Sequence, residues 1–155
     1  MKVTTVAVLA SATATAAIGL APTALADPYQ QFSSPSGNIR CLVQSLQERP
    51  PIAMCQIGDH TYDVPPGAAK DQNGGPCPPG SDLGRDIRLD QGKGAYVTCT
   101  YSALASGFGP WPVLDYGQVR SLGAITCESE RDGVTCTDTG SGHFFRLSQE
   151  SYDVG

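Results

Sequence analysis

Six cysteines carry the clearest chemical signal in this sequence of 155 residues. They are Cys41, Cys55, Cys77, Cys99, Cys127 and Cys136. Zinc sites use cysteines separated by roughly two to four residues, and the gaps here are much longer, so no metal site is expected. An even number of cysteines in a chain with an export signal, described below, is typical of disulfide bonds. Nearest-neighbour pairing is the simplest arrangement, and it predicts the bonds Cys41–Cys55, Cys77–Cys99 and Cys127–Cys136.

A second set of reactive residue types, Asp138, Ser141 and His143, lies near the end of the chain. A serine, histidine and aspartate can together activate a hydroxyl group. Triad members usually come from distant segments, however, and Ser141 lacks the G-x-S-x-G setting of a nucleophile. The favoured interpretation is a glycine-rich bend in which His143 hydrogen-bonds to the backbone, with a binding role as the functional alternative. We therefore expect no enzyme activity.

Three carboxylates, Asp82, Asp86 and Asp90, are spaced four residues apart. Such a series could in principle collect calcium, but it lacks the dense oxygen ligands of a calcium loop. The favoured interpretation is a solvated face of a strand. No metal and no cofactor are expected.

Residues 65–84 form the longest irregular segment, because their proline and glycine content excludes a regular element. Cys77 lies near the middle of the segment, next to Pro76, Pro78 and Pro79. Prolines and a disulfide together would hold an exposed loop in one shape, and a stiff loop binds with little ordering cost. Secreted protease inhibitors present such loops, so we keep inhibition as the alternative function.

A second irregular stretch, residues 106–112, holds the only tryptophan, Trp111. An exposed tryptophan between prolines could anchor a partner. Burial in the core is the favoured interpretation, and the anchor is the alternative.

These residues must be positioned by strands, and the segment 125–136 shows this most clearly. Ile-Thr-Cys and Val-Thr-Cys alternate with period two around an Asp-Gly turn signal. A four-residue loop would place Cys127 opposite Cys136 and Ser129 opposite Val134, as a disulfide requires. A two-residue turn at Asp-Gly would instead oppose Ser129 to Cys136. The first register is the prediction.

Similar alternation predicts further strands, while no stretch has helical apolar spacing over three turns. Strands are expected at residues 39–43, 52–57, 61–64, 87–89 and 95–101, and one helical turn is expected at 148–152. Ala95, Val97, Cys99 and Tyr101 should face inward. A G-x-I-x-C match between residues 37–41 and 123–127 hints at duplication of a cysteine hairpin, although convergence on strand chemistry is favoured. The predicted fold is mainly β: a small, disulfide-stapled sandwich or partly open barrel built of hairpins.

Residues 1–26 have the pattern of an export signal peptide. Lys2 gives the positive start, residues 6–20 form an apolar run, and Ala24-Leu25-Ala26 is a small-x-small cleavage site. Its removal leaves residues 27–155, a length of 129 that suits one secreted domain. No later apolar run approaches the roughly 20 residues of a membrane helix, so we expect no membrane insertion.

The chain is acidic, with ten Lys and Arg against 15 Asp and Glu. Lys2 leaves with the signal, so the mature net charge becomes minus six. Nucleic acids and anionic lipids recruit clusters of Lys and Arg, and no such cluster is present. Both classes of partner are therefore unexpected.

Several short segments, in order, resemble a family of small secreted proteins of actinobacteria, notably mycobacteria, that have no assigned activity. They are residues 32–39 with Cys41, 114–117, 133–136, 142–143 and 147–152. The family pattern near the end resembles T-G-H-G-F-x-L-S-R, whereas this chain has Ser141 before Gly142-His143, Phe144 for the second glycine and Gln149 for the arginine. The resemblance implies an exterior compartment and a disulfide framework.

Taken together, the sequence predicts a secreted, non-catalytic binding or structural protein, extracellular or associated with the cell envelope. Its partner would be an unknown protein or cell-envelope ligand. Loops on a rigid scaffold commonly carry binding, so residues 65–84 and 106–112 form the predicted contact surface. The alternative is a protease inhibitor that presents the Cys77 loop, and a small hydrolase centred on His143 is a third class.

Overall fold

Ten strands form two antiparallel sheets of five in the computed structural model, which describes residues 28–46, 49–104 and 110–155. Sheet 1 contains, in spatial order, β1 (Tyr29–Ser33), β2 (Ile39–Gln44), β3 (Ile52–Ile57), β4 (Asp82–Asp90) and β5 (Tyr96–Thr100). Sheet 2 contains β6 (Val119–Leu122), β7 (Ile125–Glu130), β8 (Gly133–Asp138), β9 (Phe144–Leu147) and β10 (Tyr152–Val154), also in that order. The predicted signal segment 1–26 and residues 106–109 of the predicted contact surface lie outside the described residues.

Both sheets remain open, so the fold is the predicted β-sandwich and not a closed barrel. The described parts of the chain contain no helix, and so no helix there could span a membrane.

The core lies between the two sheets, because the inward positions of their strands are apolar. In β3, Ala53, Cys55 and Ile57 are fully buried while the residues between them are partly exposed. In β9, Phe145 and Leu147 are buried and Phe144 faces solvent, as their alternation predicts.

All three predicted disulfides are present: Cys41–Cys55, Cys77–Cys99 and Cys127–Cys136. Cys127 lies opposite Cys136, so the predicted register is confirmed. The turn is tighter than predicted, because Glu130 pairs with Gly133 and leaves only two residues between the strands. The Cys55 and Cys136 sulfur atoms lie 3.9 Å apart, which brings the disulfides of the two sheets into contact inside the core.

The G-x-I-x-C match has a structural counterpart. Residues 37–41 lead into β2 and residues 123–127 lead into β7, so each motif opens the second strand of its sheet. Each motif cysteine is bonded to a cysteine on the third strand. The two motif glycines have positive φ angles, 74° and 58°, which glycine adopts without steric cost. The two sheets therefore match in strand order and disulfide position, as duplication of one cysteine hairpin would predict.

Three local predictions are wrong. Residues 61–64 form no strand, because Thr61 donates its N–H to the Gln149 carbonyl and bridges to the other sheet. Residues 148–152 form no helical turn. Instead, the Ser148 N–H donates to the Ser151 carbonyl at 2.9 Å, and Tyr152 pairs with Leu147, so the segment turns back as a hairpin. Tyr101 lies beyond the end of β5 and is 62 % exposed instead of facing inward.

The long irregular segment is ordered against the outer edge of β5. The Lys70 N–H donates to the Val97 carbonyl at 3.0 Å, and the Lys70 carbonyl accepts from the Cys99 N–H at 3.3 Å. The Cys77–Cys99 bond fixes the same edge a second time. Covering an edge strand in this way protects it from pairing with other chains. The irregular segment ends earlier than predicted, because β4 begins at Asp82.

Candidate functional site

A groove of about 770 Å³ opens at one end of the sandwich. Four connections from both sheets meet there: the β1–β2 loop, the segment after β3, the β7–β8 turn and the β9–β10 loop. The charged side chains that line it are Arg40, Asp59, Glu130, Arg131, Asp132 and Glu150. The lining also includes three carboxamide side chains and one tyrosine ring, those of Asn38, Gln56, Gln149 and Tyr116.

Asn38 fixes the wall contributed by sheet 1. Its side-chain oxygen accepts from the Asp59 N–H at 2.8 Å, and its side-chain nitrogen donates to the Asp59 carbonyl at 2.9 Å. The Asn38 carbonyl also accepts from the Gly58 N–H at 2.8 Å. These three bonds tie the β1–β2 loop to the end of β3 and hold Asp59 at the groove.

Arg146 fixes the wall contributed by sheet 2. Its guanidinium lies 2.5 Å from a carboxylate oxygen of Asp132 and 3.5 Å from one of Glu130. The hydrogen bond from Arg146 keeps the pKa of Asp132 below its usual range. The Arg131 guanidinium lies over the Tyr116 ring, 5.7 Å from its centroid, a cation–π distance. The β7–β8 turn is therefore held by Arg146 on one side and by Tyr116 on the other.

Four charged groups of the groove make no hydrogen bond or ion pair within residues 28–46, 49–104 and 110–155. They are the side chains of Arg40, Asp59, Glu150 and Arg131, the last of which has only its contact with the Tyr116 ring. All of these residues are exposed to solvent, so their side chains are accessible to a ligand. The groove therefore offers donors and acceptors to a polar ligand.

Behind the groove, Gln56 organises a polar cluster on the outer face of sheet 1. Its side-chain nitrogen donates to the Asp86 carboxylate at 2.8 Å and to the Ser102 carbonyl at 3.0 Å. Its side-chain oxygen accepts from the Leu104 N–H at 2.8 Å. Gln56 thereby anchors the chain that follows β5 over this face.

This covering segment overturns the solvated-face interpretation for Asp86, which is only 6 % exposed. Asp82 is exposed and Asp90 is half-buried. Burial raises the pKa of Asp86 to about 6, although the Gln56 hydrogen bond opposes the shift.

The Asp86 shift predicts a pH dependence of folding stability. Because its pKa is higher in the folded chain than in the unfolded one, the folded state binds more protons between about pH 4 and pH 6. Stability should therefore fall as pH rises through this window, by up to about 3 kcal/mol. Asp86→Asn should remove that fall and be more stable than the wild type at pH 7. Urea unfolding from pH 4 to pH 8 measures both effects.

The exposed carboxylate variant Asp115→Asn is the matched control and should keep the wild-type profile. An Asp86→Asn protein with an unchanged profile would show that Asp86 is not the titrating group.

The residues predicted from sequence as a binding surface do not line the groove. Pro76, Pro78 and Pro79 are exposed on the segment that covers β5. Trp111 is half-buried and outside the core, so its expected burial is wrong. The neighbouring Pro112 carbonyl accepts from the Ser33 N–H at 2.9 Å, which holds this segment along the edge of β1.

Asp138, Ser141 and His143 lie at the opposite end of the sandwich and are arranged as a bend. The Ser141 hydroxyl donates to Asp138 at 2.7 Å, and the Gly92 N–H donates to the same carboxylate at 2.6 Å. The Gly92 bond is the main cause of a lowered pKa of Asp138. His143 Nδ1 lies 3.2 Å from the Gly155 carbonyl oxygen. The predicted backbone bond of His143 is thus confirmed, and the Asp138 carboxylate connects the β4–β5 turn to the end of β8.

Sequence reasoning missed the groove because its lining comes from turns that are far apart in the chain. One signal was available in the segments that carry the family resemblance. Residues 32–39, 114–117, 133–136 and 147–152 each contribute to the groove lining. Their convergence becomes visible only in the folded chain.

Comparison with known proteins gives one result. Among curated proteins and among solved structures, no significant match to the chain was found. A family model described as "Family of unknown function (DUF6636)" matches residues 8–153. The match covers nearly the whole sequence, and the chain belongs to this family.

Proposed function

We propose that this protein is exported and acts at the cell exterior as a non-catalytic binding protein. Its ligand site is the groove at the end of the sandwich. One observation supports this most directly: the unpaired side chains of Arg40, Asp59 and Glu150 meet in a concave site of about 770 Å³. Its volume lies in the range of roughly 300–1,000 Å³ that is typical of ligand sites, and its lining is more polar than theirs usually is.

Export is supported by the three disulfides, because such bonds persist in oxidising compartments. The pattern of residues 1–26 and the resemblance to secreted actinobacterial proteins support the same proposal. Disulfides also suit a binding role, since a rigid frame reduces the ordering cost of binding.

Affinity capture with matched variants tests the groove. The oxidised wild-type protein is immobilised and exposed to fractionated culture supernatant and cell envelope, and the bound material is identified by mass spectrometry. The double variant Asp59→Asn, Glu150→Gln should lose the specific ligand. Glu128→Gln, an exposed carboxylate on β7 that does not line the groove, should retain it. Equal recovery on all three proteins would contradict the proposal.

Protease inhibition through the Cys77 loop is the second candidate. It is favoured by the exposure of Pro78, Pro79 and Gly80 between two fixed points, the Cys77–Cys99 disulfide and the start of β4 at Asp82. Nanomolar inhibition of a secreted protease, lost when the loop is cut at Gly80 and retained in the groove double variant, would favour the inhibitor over the groove.

A further inference from the structure

We infer that the groove binds a neutral, hydroxyl-rich ligand, namely an oligosaccharide of a few sugar units. This inference rests on the proposed function and names the ligand class of that site. It follows from the balance of charge, the scarcity of apolar side chains and the fixed backbone of the groove walls.

The lining carries unpaired charge of both signs. The unpaired groups are the guanidinium groups of Arg40 and Arg131 and the carboxylates of Asp59 and Glu150. A strongly cationic ligand would meet Arg40, and a strongly anionic one would meet the two carboxylates, so each class encounters a like charge. A hydroxyl group both donates and accepts hydrogen bonds. A chain of sugar hydroxyls can therefore satisfy both kinds of group without carrying charge.

The uncommitted hydrogen-bonding groups are planar. Asn38 and Gln56 are occupied by their bonds to other parts of the chain. The side chains of Arg40, Asp59, Glu150, Gln149 and Arg131 remain, and each presents two or more polar atoms in one plane. Such groups can bond adjacent hydroxyls of a sugar ring in pairs, which adds geometric specificity.

Few apolar side chains line the groove. Ile39 is only 4 % exposed, whereas Tyr116 is 43 % exposed. The Arg131 guanidinium lies over one face of the Tyr116 ring, so a ligand can use only the other face. Peptide recognition generally uses an open strand edge or a row of apolar pockets, and the groove is built from turns at the ends of strands. One aromatic surface among polar groups suits the C–H face of a sugar ring better than a series of peptide side chains.

The backbone of the groove walls is held in place before any ligand arrives. The bonds between the Asn38 side chain and the Asp59 backbone and the ion pairs of Arg146 fix it, so binding orders the unpaired side chains but not the walls. Ligands rich in hydroxyls gain little from apolar burial, so their affinity depends on such preorganisation.

An oligosaccharide array tests the inference. The oxidised protein is applied to printed neutral oligosaccharides of three to six units of glucose, galactose, mannose or N-acetylglucosamine. The strongest binder is then titrated calorimetrically in free form, and an insoluble polysaccharide of the same units is tested in a separate arm. Saturable binding that depends on the groove, in either arm, supports the inference. Comparison of the two arms shows whether the protein binds the free oligosaccharide or the polysaccharide.

Single variants show whether the groove is responsible. Arg40→Gln, Asp59→Asn and Glu150→Gln should each weaken binding about tenfold or more, the effect of losing a hydrogen bond to a charged group. The controls Arg120→Gln and Glu128→Gln, on exposed strand positions, should bind as the wild type does. Thermal unfolding of every variant confirms that it is folded.

Two outcomes would overturn the inference. One is array binding no stronger than that of an unrelated acidic β-sandwich, and the other is binding that the three groove variants leave intact. A random peptide library forms a parallel arm. Peptide binding that Asp59→Asn abolishes, without sugar binding, would refute the oligosaccharide and leave the groove as the ligand site. If affinity capture instead recovers the same material with the wild type, the groove variant and the control, the groove is refuted as the ligand site.

Discussion

Reduction of the three disulfides is expected to unfold the protein at neutral pH. Chain-entropy estimates assign about 3 kcal/mol to each closed loop, or about 9 kcal/mol together as an upper bound. Domain stabilities are typically about 5–15 kcal/mol, so this loss is comparable with the whole. The physical reason lies in the core, where Cys41, Cys55, Cys127 and Cys136 are fully buried and the two sheets meet through sulfur atoms.

The three disulfides should be reduced in the order in which their cysteines are exposed to solvent. Cys77 is partly exposed on its loop, so the Cys77–Cys99 bond should be reduced first and cost only the attachment of that loop. The other two bonds should resist reductant until the sheets separate. The protein is titrated with a phosphine reductant. Near-ultraviolet circular dichroism measures the loss of packing, and mass spectrometry of alkylated thiols gives the order in which the disulfides are reduced.

The double variant Cys77→Ser, Cys99→Ser is the control that should stay folded. Cooperative unfolding that persists after full reduction would show that the core does not need its crosslinks.

Gly133→Ala is expected to destabilise the protein by about 3–5 kcal/mol, at the severe end of single substitutions. A Cβ atom at this position would overlap the carbonyl oxygen of Leu147 and lie 3.1 Å from its carbonyl carbon. Both atoms belong to the backbone of β9, so relief requires a strand to move. The φ angle of 155° adds backbone strain. Urea unfolding at pH 7 gives the change in free energy.

Gly142→Ala separates the two causes. Gly142 has a positive φ of 81° and open space around its Cβ position, so alanine there meets strain alone and should cost about 1 kcal/mol. Equal losses for both variants would mean that the close approach of Leu147 contributes nothing.

The strands with strong alternation could be predicted from the sequence, and the weak edge strands could not. Residues 52–57 were predicted with their observed bounds because buried and exposed positions alternate along β3. β6 was missed, since three of its four residues are exposed and carry no periodic signal. β10 has three residues and is recognised only by its pairing with β9. Edge strands bury one side of their backbone against a neighbour, and this pairing leaves little trace in residue type.

The sequence by itself determined the fold class and the register of the hairpin that contains Cys127 and Cys136, and the assumption of nearest-neighbour pairing predicted the disulfides. The fold class and the register depend on alternation and on turn chemistry, which act over a few residues. Only the tertiary structure decided where a ligand could bind. Asp59, Glu150 and Arg40 stand in unremarkable turns and strand ends, and they become a site only where the loops of the two sheets meet. The burial of Asp86 was decided in the same way, because the segment that covers it packs from a distant part of the chain.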